Sequence, residues 1–141
     1  MTMIKIYNSY PTISYSKKAK LIRFLIQHQE NLSLKEEVIT HLVNYAFKET
    51  SSFGGFIVTE EENEEILGAM VVNNTGMKGY MPNNLIVASA FLPTSGKQGS
   101  MKRLLQKIMY LTRGDTAIFL KEQASKTFLP KSTGVKTLQF S

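Results

Sequence analysis

Leu85 to Leu105 reads LIVASAFLPTSGKQGSMKRLL, and it limits the fold more tightly than any other stretch of the chain. Leu85 to Leu92 carries no charge, which predicts a mostly buried strand. Pro93 to Gly99 then brings two glycines, two hydroxyls and one lysine, the composition of a backbone that bends and exposes its amides. From Ser100 the spacing turns helical, with Met101, Leu104, Leu105 and Ile108 on one face. A loop running into a helix N-terminus presents unpaired N–H groups, and these suit an anionic ligand.

The next residues complete the constraint. Gly114 suits a left-handed helix C-cap, and Ala117 to Leu120 (AIFL) reads as another buried strand. Strand, helix, strand in that order forces a parallel crossover. Upstream, Phe56 to Val58 and Ile66 to Val72 read as a hairpin that pairs antiparallel, so the expected sheet is mixed. Between those strands lie five glutamates, from Glu60 to Glu65, read as a solvated acidic tip that protects the edge. Met3 to Tyr7 suits an opening strand before Pro11, and Val135 to Phe140 a closing one.

Three further helices are expected. One starts near Ser16, with an apolar stripe of Leu21, Ile22, Leu25 and Ile26 and a wet side of Lys17, Lys18, Lys20 and Arg23. The next begins at a capping box, with Ser33 as N-cap and Glu36 reaching back. Its repeat is Leu34, Val38, Leu42, Tyr45 and Ala46, widened by Ile39 and Val43, and it ends near Thr50. A short helix over Ala124 to Leu129 stops at Pro130, and Asn73 to Asn84 is a loop punctuated by Gly76, Gly79 and Pro82. With no repeat and no low-complexity segment, residues 1–141 are expected to form a single domain.

Composition excludes several chemistries. The chain has no cysteine, so disulfides, thiolate metal sites and cysteine nucleophiles are ruled out. His28 and His41 stand thirteen residues apart within expected helices and read as surface or boundary residues, so no metal is expected. No Gly-x-Ser-x-Gly elbow and no dinucleotide fingerprint is present. Gly96-Lys97-Gln98 lacks the hydroxyl that comes after the lysine of a P-loop, and Phe91 stands where its first glycine belongs. No apolar run approaches a membrane span and the N-terminus shows no secretory pattern, so a cytoplasmic protein is the expectation.

Charge is lopsided. Residues 1–96 hold eight Lys/Arg against nine Glu, whereas residues 97–141 hold nine Lys/Arg against Asp115 and Glu122. The positive field therefore sits on the loop, its helix and the C-terminal segment beyond them. Nucleic acid, membrane phosphates and a polyphosphate ligand all suit such a field, and so does a plain lysine-rich surface. Nucleic acid is not expected as a partner, because the basic third lacks interleaved exposed aromatics.

The run Gly96-Lys97-Gln98-Gly99-Ser100-Met101, with Pro93 before it and Leu104-Leu105 after it, resembles the acetyl-CoA-binding motif of the GNAT superfamily of N-acetyltransferases. That motif reads Arg/Gln-x-x-Gly-x-Gly/Ala between a strand and a helix, and the order of elements along nearly the whole chain is similar too. This sequence would be a divergent member. Gly96 replaces the Arg/Gln, Met101 replaces the final Gly/Ala, and Leu129 stands where the family often has a tyrosine acid.

The resemblance implies an α/β (α+β) fold with a mixed, mostly antiparallel central sheet, one parallel strand–helix–strand crossover and helices on both faces. It implies acetyl-CoA as co-substrate, bound by Ala90, Phe91 and Leu92 along the pantetheine and by Gly96, Lys97, Gln98, Gly99, Ser100, Met101 and Lys102 around the pyrophosphate. Arg103 could add further charge there. The partners would be a coenzyme A thioester and an amine acceptor, small molecule or protein, without a membrane. Oligomeric state stays open, a homodimer included. The catalytic group is unassigned: Ser125 stands near the position of the acid but better suits a helix cap, and Glu60 could act only through water. The alternative is a non-catalytic acyl-CoA-binding or interaction module of the same fold.

Overall fold

A computed structural model describes residues 2–8, 14–29, 34–47, 54–75, 82–93, 96–121 and 136–140; for 97, 119–121 and 136–140 it describes the backbone alone. The elements are β1 (Met3–Tyr7), α1 (Tyr15–His28), α2 (Glu36–Ala46), β2 (Gly54–Glu62), β3 (Glu65–Asn74), β4 (Asn84–Phe91), α3 (Lys97–Thr112), β5 (Thr116–Lys121) and β6 (Lys136–Phe140). The six strands lie in sequence order in one sheet. β1 to β4 pair antiparallel, and β4–β5 and β5–β6 pair parallel. The expected mixed sheet and the β4–α3–β5 crossover are therefore present. The expected short helix over Ala124–Leu129 lies outside the described residues.

Alternation along the strands builds two cores. Ile57, Ala69, Val71, Ala88 and Ala90 meet Leu21, Phe24 and Leu25 of α1 and Ile39, Val43 and Ala46 of α2. Val58, Met70, Val72, Ile86, Phe91 and Ile118 meet Met101, Leu104, Leu105 and Ile108 of α3. Helices thus cover both faces. The four α3 residues are at most 1% exposed, and burying each such side chain contributes roughly 1.5–3 kcal/mol.

Several local expectations need correction. The hairpin strands run straight through the glutamates, because Asn63 and Glu64 alone make the turn, with φ of 51° and 67°. That left-handed pair matches the twist of a two-residue hairpin. The N-cap of α2 is Lys35, which offers no side-chain bond, and Ser33 lies outside the described residues. The Gln29 amide explains the later start: its Oε1 accepts from the Leu34 N–H (2.7 Å) and its Nε2 donates to the Leu34 carbonyl (3.1 Å). Those bonds hold Leu34 out of the helix. The buried face of α2 is also turned toward Ile39 and Val43, leaving Val38 exposed.

β4 carries a bulge. Val71 pairs with Ala88 and Val72 with Ile86, so Val87 is an extra residue without a partner across the ladder. A bulge bends its strand and re-aims the residues beyond it. Pairing between β4 and β5 covers only Asn84↔Thr116 to Ile86↔Ile118, ending just before that residue. At their starts the two strands are tied, since the Asn83 N–H donates to Asp115 Oδ1 and Asn84 Nδ2 donates to the Asp115 carbonyl. At their far ends they part: β4 continues to Phe91 against β3, and β5 to Lys121 against β6.

Candidate functional site: the end of β4 and the first turn of α3

The helix expected from Ser100 begins one turn earlier, at Lys97, with Gly96 as N-cap. The Ser100 N–H already donates to the Gly96 carbonyl (2.9 Å). Glycine is an acceptable N-cap, and Gly99 costs little in a first turn whose amides have no intrahelical partner. The anticipated loop is therefore partly helix, and it presents the amides of Gly96 to Gly99 at the positive end of the helix dipole. No acidic residue stands in that turn.

The sequence-predicted site residues divide between two environments. Gln98 and Lys102 are exposed, whereas Ser100 and Met101 are buried against the sheet. Met101 packs with Leu104 in the core, so its bulk is turned away from the helix end. Phe91 and Ser100 close together over Gly68. A Cβ there would lie 2.6 Å from Phe91 Cδ1 and 2.8 Å from Ser100 Oγ, so the absent side chain lets the end of β4 meet the start of α3.

The backbone at the end of β4 is partly committed. Leu92 donates its N–H to the Leu67 carbonyl (3.0 Å). Ala90 pairs with Ala69 on β3, and an isolated antiparallel bridge joins it to Gln29 on its other edge. Gln29, just past α1, therefore lies where β4 has parted from β5.

Glu64 and Glu65 are exposed as a solvated tip would be, but Glu60 and Glu61 contradict that expectation. Glu60 and Glu61 are 1% and 2% exposed, and they point to opposite faces of β2. Glu60 accepts two bonds from Arg103, at 2.6 Å from Nε and 2.9 Å from Nη2, and one from Thr2 (3.1 Å). The Arg103 hydrogen bonds hold the Glu60 carboxyl below the usual carboxylate range despite burial. Arg103 is in turn raised by the same bond. Its charge is thus engaged by Glu60 rather than left for a ligand.

On the other face, Glu61 accepts from Lys17 Nζ (2.6 Å), the Tyr7 hydroxyl (2.7 Å) and the Thr59 hydroxyl (2.6 Å). Burial pushes the Glu61 carboxyl up, but these three bonds outweigh it and leave the group below its ordinary value. The Tyr7 hydroxyl is raised by burial and then by Glu61. The two carboxylates fasten α3 and α1 to opposite faces of one strand. Sequence reasoning missed this; the nearest signal was the alternation of Val58, Glu60 and Ile57, Thr59, Glu61 continuing past the apolar residues. Ser125 lies outside the described residues.

No group of three or more potential metal ligands occurs among the described residues, and no described helix is long and apolar enough to cross a membrane. No protein-family model and no curated protein matches the chain. Among solved structures, it is similar to an aminoglycoside acetyltransferase from an uncultured soil metagenomic sample in complex with trehalose. The TM-score is 0.55 and the identity 17%, over 89% of this chain and 78% of that one. A structure of that acetyltransferase in complex with sisomicin gives a TM-score of 0.53 and 14% identity, over 99% and 77%. At these identities the likeness is one of fold, an acetyltransferase-like arrangement of strands and helices.

Proposed function

We propose that this chain is an acetyl-CoA-dependent N-acetyltransferase, a divergent GNAT-type protein that transfers an acetyl group to an amine by direct attack. The observation that supports it most is the parting of β4 from β5 after Ile86↔Ile118, beside a helix N-terminus without acids or bulky side chains at Gly96 and Gly99. Such a turn fits a pyrophosphate, because backbone amides bind it without particular side chains. Gly96 to Gly99 would hold that group, with Lys102 adding charge, and Phe91 with its neighbours Ala90 and Leu92 would flank the extended arm. Bound there, acetyl-CoA supplies an activated thioester. The protein's own part is to orient the amine, exclude water and give its proton a path.

Glu60 is poorly suited to that last task. A carboxylate clamped by Arg103 and held below its ordinary range is a weak base. The acid and base of the transfer are left unassigned, within a proposed single cytoplasmic domain over residues 1–141. The Glu60 clamp also favours a second reading, a non-catalytic module that binds acyl-CoA.

Thermal unfolding with acetyl-CoA tests both. Ligand at 100 times its dissociation constant adds about 2.7 kcal/mol. No stabilisation at millimolar ligand refutes both readings. Stabilisation with free-thiol release over a panel of amines supports the enzyme, and stabilisation without release supports the module.

A further inference from the structure

A cavity of about 250 Å³ lies between α1 and the end of the hairpin, lined by Lys20, Arg23, Phe24, Gln27, Glu65, Ile66 and Leu92. Its floor is apolar, with Phe24 and Ile66 buried, and its rim is made by the exposed side chains of Lys20, Arg23 and Gln27. These rim residues stand at i, i+3 and i+7 of α1, so they form one stripe along the helix. Lys20 is anchored through its Nζ to the Glu64 carbonyl (2.7 Å), which fixes its charge at the hairpin end of the opening. Leu92 places the cavity directly beside the end of β4.

We propose that this cavity is the acceptor subsite, and that the acceptor is an amine that also carries an anionic group, a carboxylate or a phosphate. The inference rests on the acyl-transfer reading for the word acceptor, and on the cavity alone for the ligand's charge. Two cations and one carboxylate, Glu65, line the cavity. An amine with one acidic group complements that set: its anion meets Arg23 and Lys20, and its ammonium is tolerated by Glu65. Arg23 offers a planar fork of donors matched to carboxylate or phosphate oxygens. An aminoglycoside or a polyamine carries several positive charges and meets net repulsion there. The cavity's size suits a small group rather than an extended oligosaccharide.

The full chain, isotope-labelled, is titrated with phosphoethanolamine and L-glutamate, and separately with spermidine and sisomicin, while backbone amides are followed by NMR. Saturable shifts at Lys20, Arg23, Gln27 and Leu92 with the acidic amines, lost in Arg23→Glu and kept in Arg23→Lys, are expected. No saturable shift there, or tighter binding of the polycations, overturns the proposal. In thiol-release assays Arg23→Glu raises KM for the acidic amine about tenfold and leaves KM for acetyl-CoA unchanged. If KM for acetyl-CoA rises instead, the anion recognised is a phosphate of the co-substrate, and the acceptor assignment is wrong. Acidic amines binding at the cavity without any acetyl-CoA stabilisation would sink the acyl-transfer reading and spare the anion subsite. Acetyl-CoA stabilisation without acidic-amine binding would do the reverse.

Discussion

Removing Arg103 should cost far more stability than removing the charge it neutralises. In Arg103→Ala, Glu60 is left buried, with Thr2 as its one remaining side-chain donor among the described residues. Breaking a buried pair from one side costs about 3–5 kcal/mol. Arg103 is half exposed, at 49%, so water reaches part of the vacated space and the lower end, about 3 kcal/mol, is expected. In Glu60→Gln the amide stays hydrogen-bonded and the freed guanidinium swings into solvent, so about 1 kcal/mol is expected. For a chain of this length the two changes lower Tm by about 9 °C and about 3 °C.

The pH dependence separates this from simple loss of packing. In the wild type, Glu60 is held below its unfolded value, so its contribution is complete above about pH 4.3 and is lost as pH falls through the folded value. In Arg103→Ala the buried carboxyl lies above its unfolded value, so that variant gains relative stability on acidification. The difference between the two proteins, read by urea unfolding, should shrink steadily from pH 7 to pH 4. Equal costs for the two substitutions, or a difference that does not change with pH, would refute the ion-pair account. Glu60→Leu combined with Arg103→Met should recover most of the loss, since an apolar pair of similar volume replaces a buried salt bridge at little cost.

Three other perturbations probe the same geometry. Gly68→Ala forces a methyl within 2.6 Å of the Phe91 ring and should cost about 1–3 kcal/mol in urea unfolding, with Phe91 displaced. Gln29→Ala removes both bonds that hold Leu34; it should cost about 1 kcal/mol and speed amide exchange at Leu34. Lys102→Glu should weaken coenzyme A binding by roughly 1 kcal/mol, about fivefold, in isothermal titration, with the gap narrowing as salt rises.

Period and polarity made the framework legible. The run Met101, Leu104, Leu105 and Ile108 marked the buried face of α3, and the order of apolar segments marked the crossover and the mixed sheet. The features that stayed hidden depend on contacts distant in sequence. Glu60 and Glu61 look solvated until Arg103 and Lys17 arrive from opposite faces. The start of α2 is decided by a glutamine six residues before its N-cap, and the Val87 bulge by the register of a neighbouring strand. Within the candidate site, the glycines and lysines around α3 could be named in advance. That Ala90 is bridged by Gln29 required the packed structure.

Coenzyme A is proposed to bind at the first turn of α3 and the end of β4. Titration of the labelled chain with coenzyme A, followed by amide NMR, tests it most directly. Saturable shifts concentrated at Gly96, Lys97, Gln98 and Gly99, with Phe91 moving in step, are the predicted result. An unchanged spectrum at millimolar coenzyme A, or shifts confined to other surfaces, would contradict it.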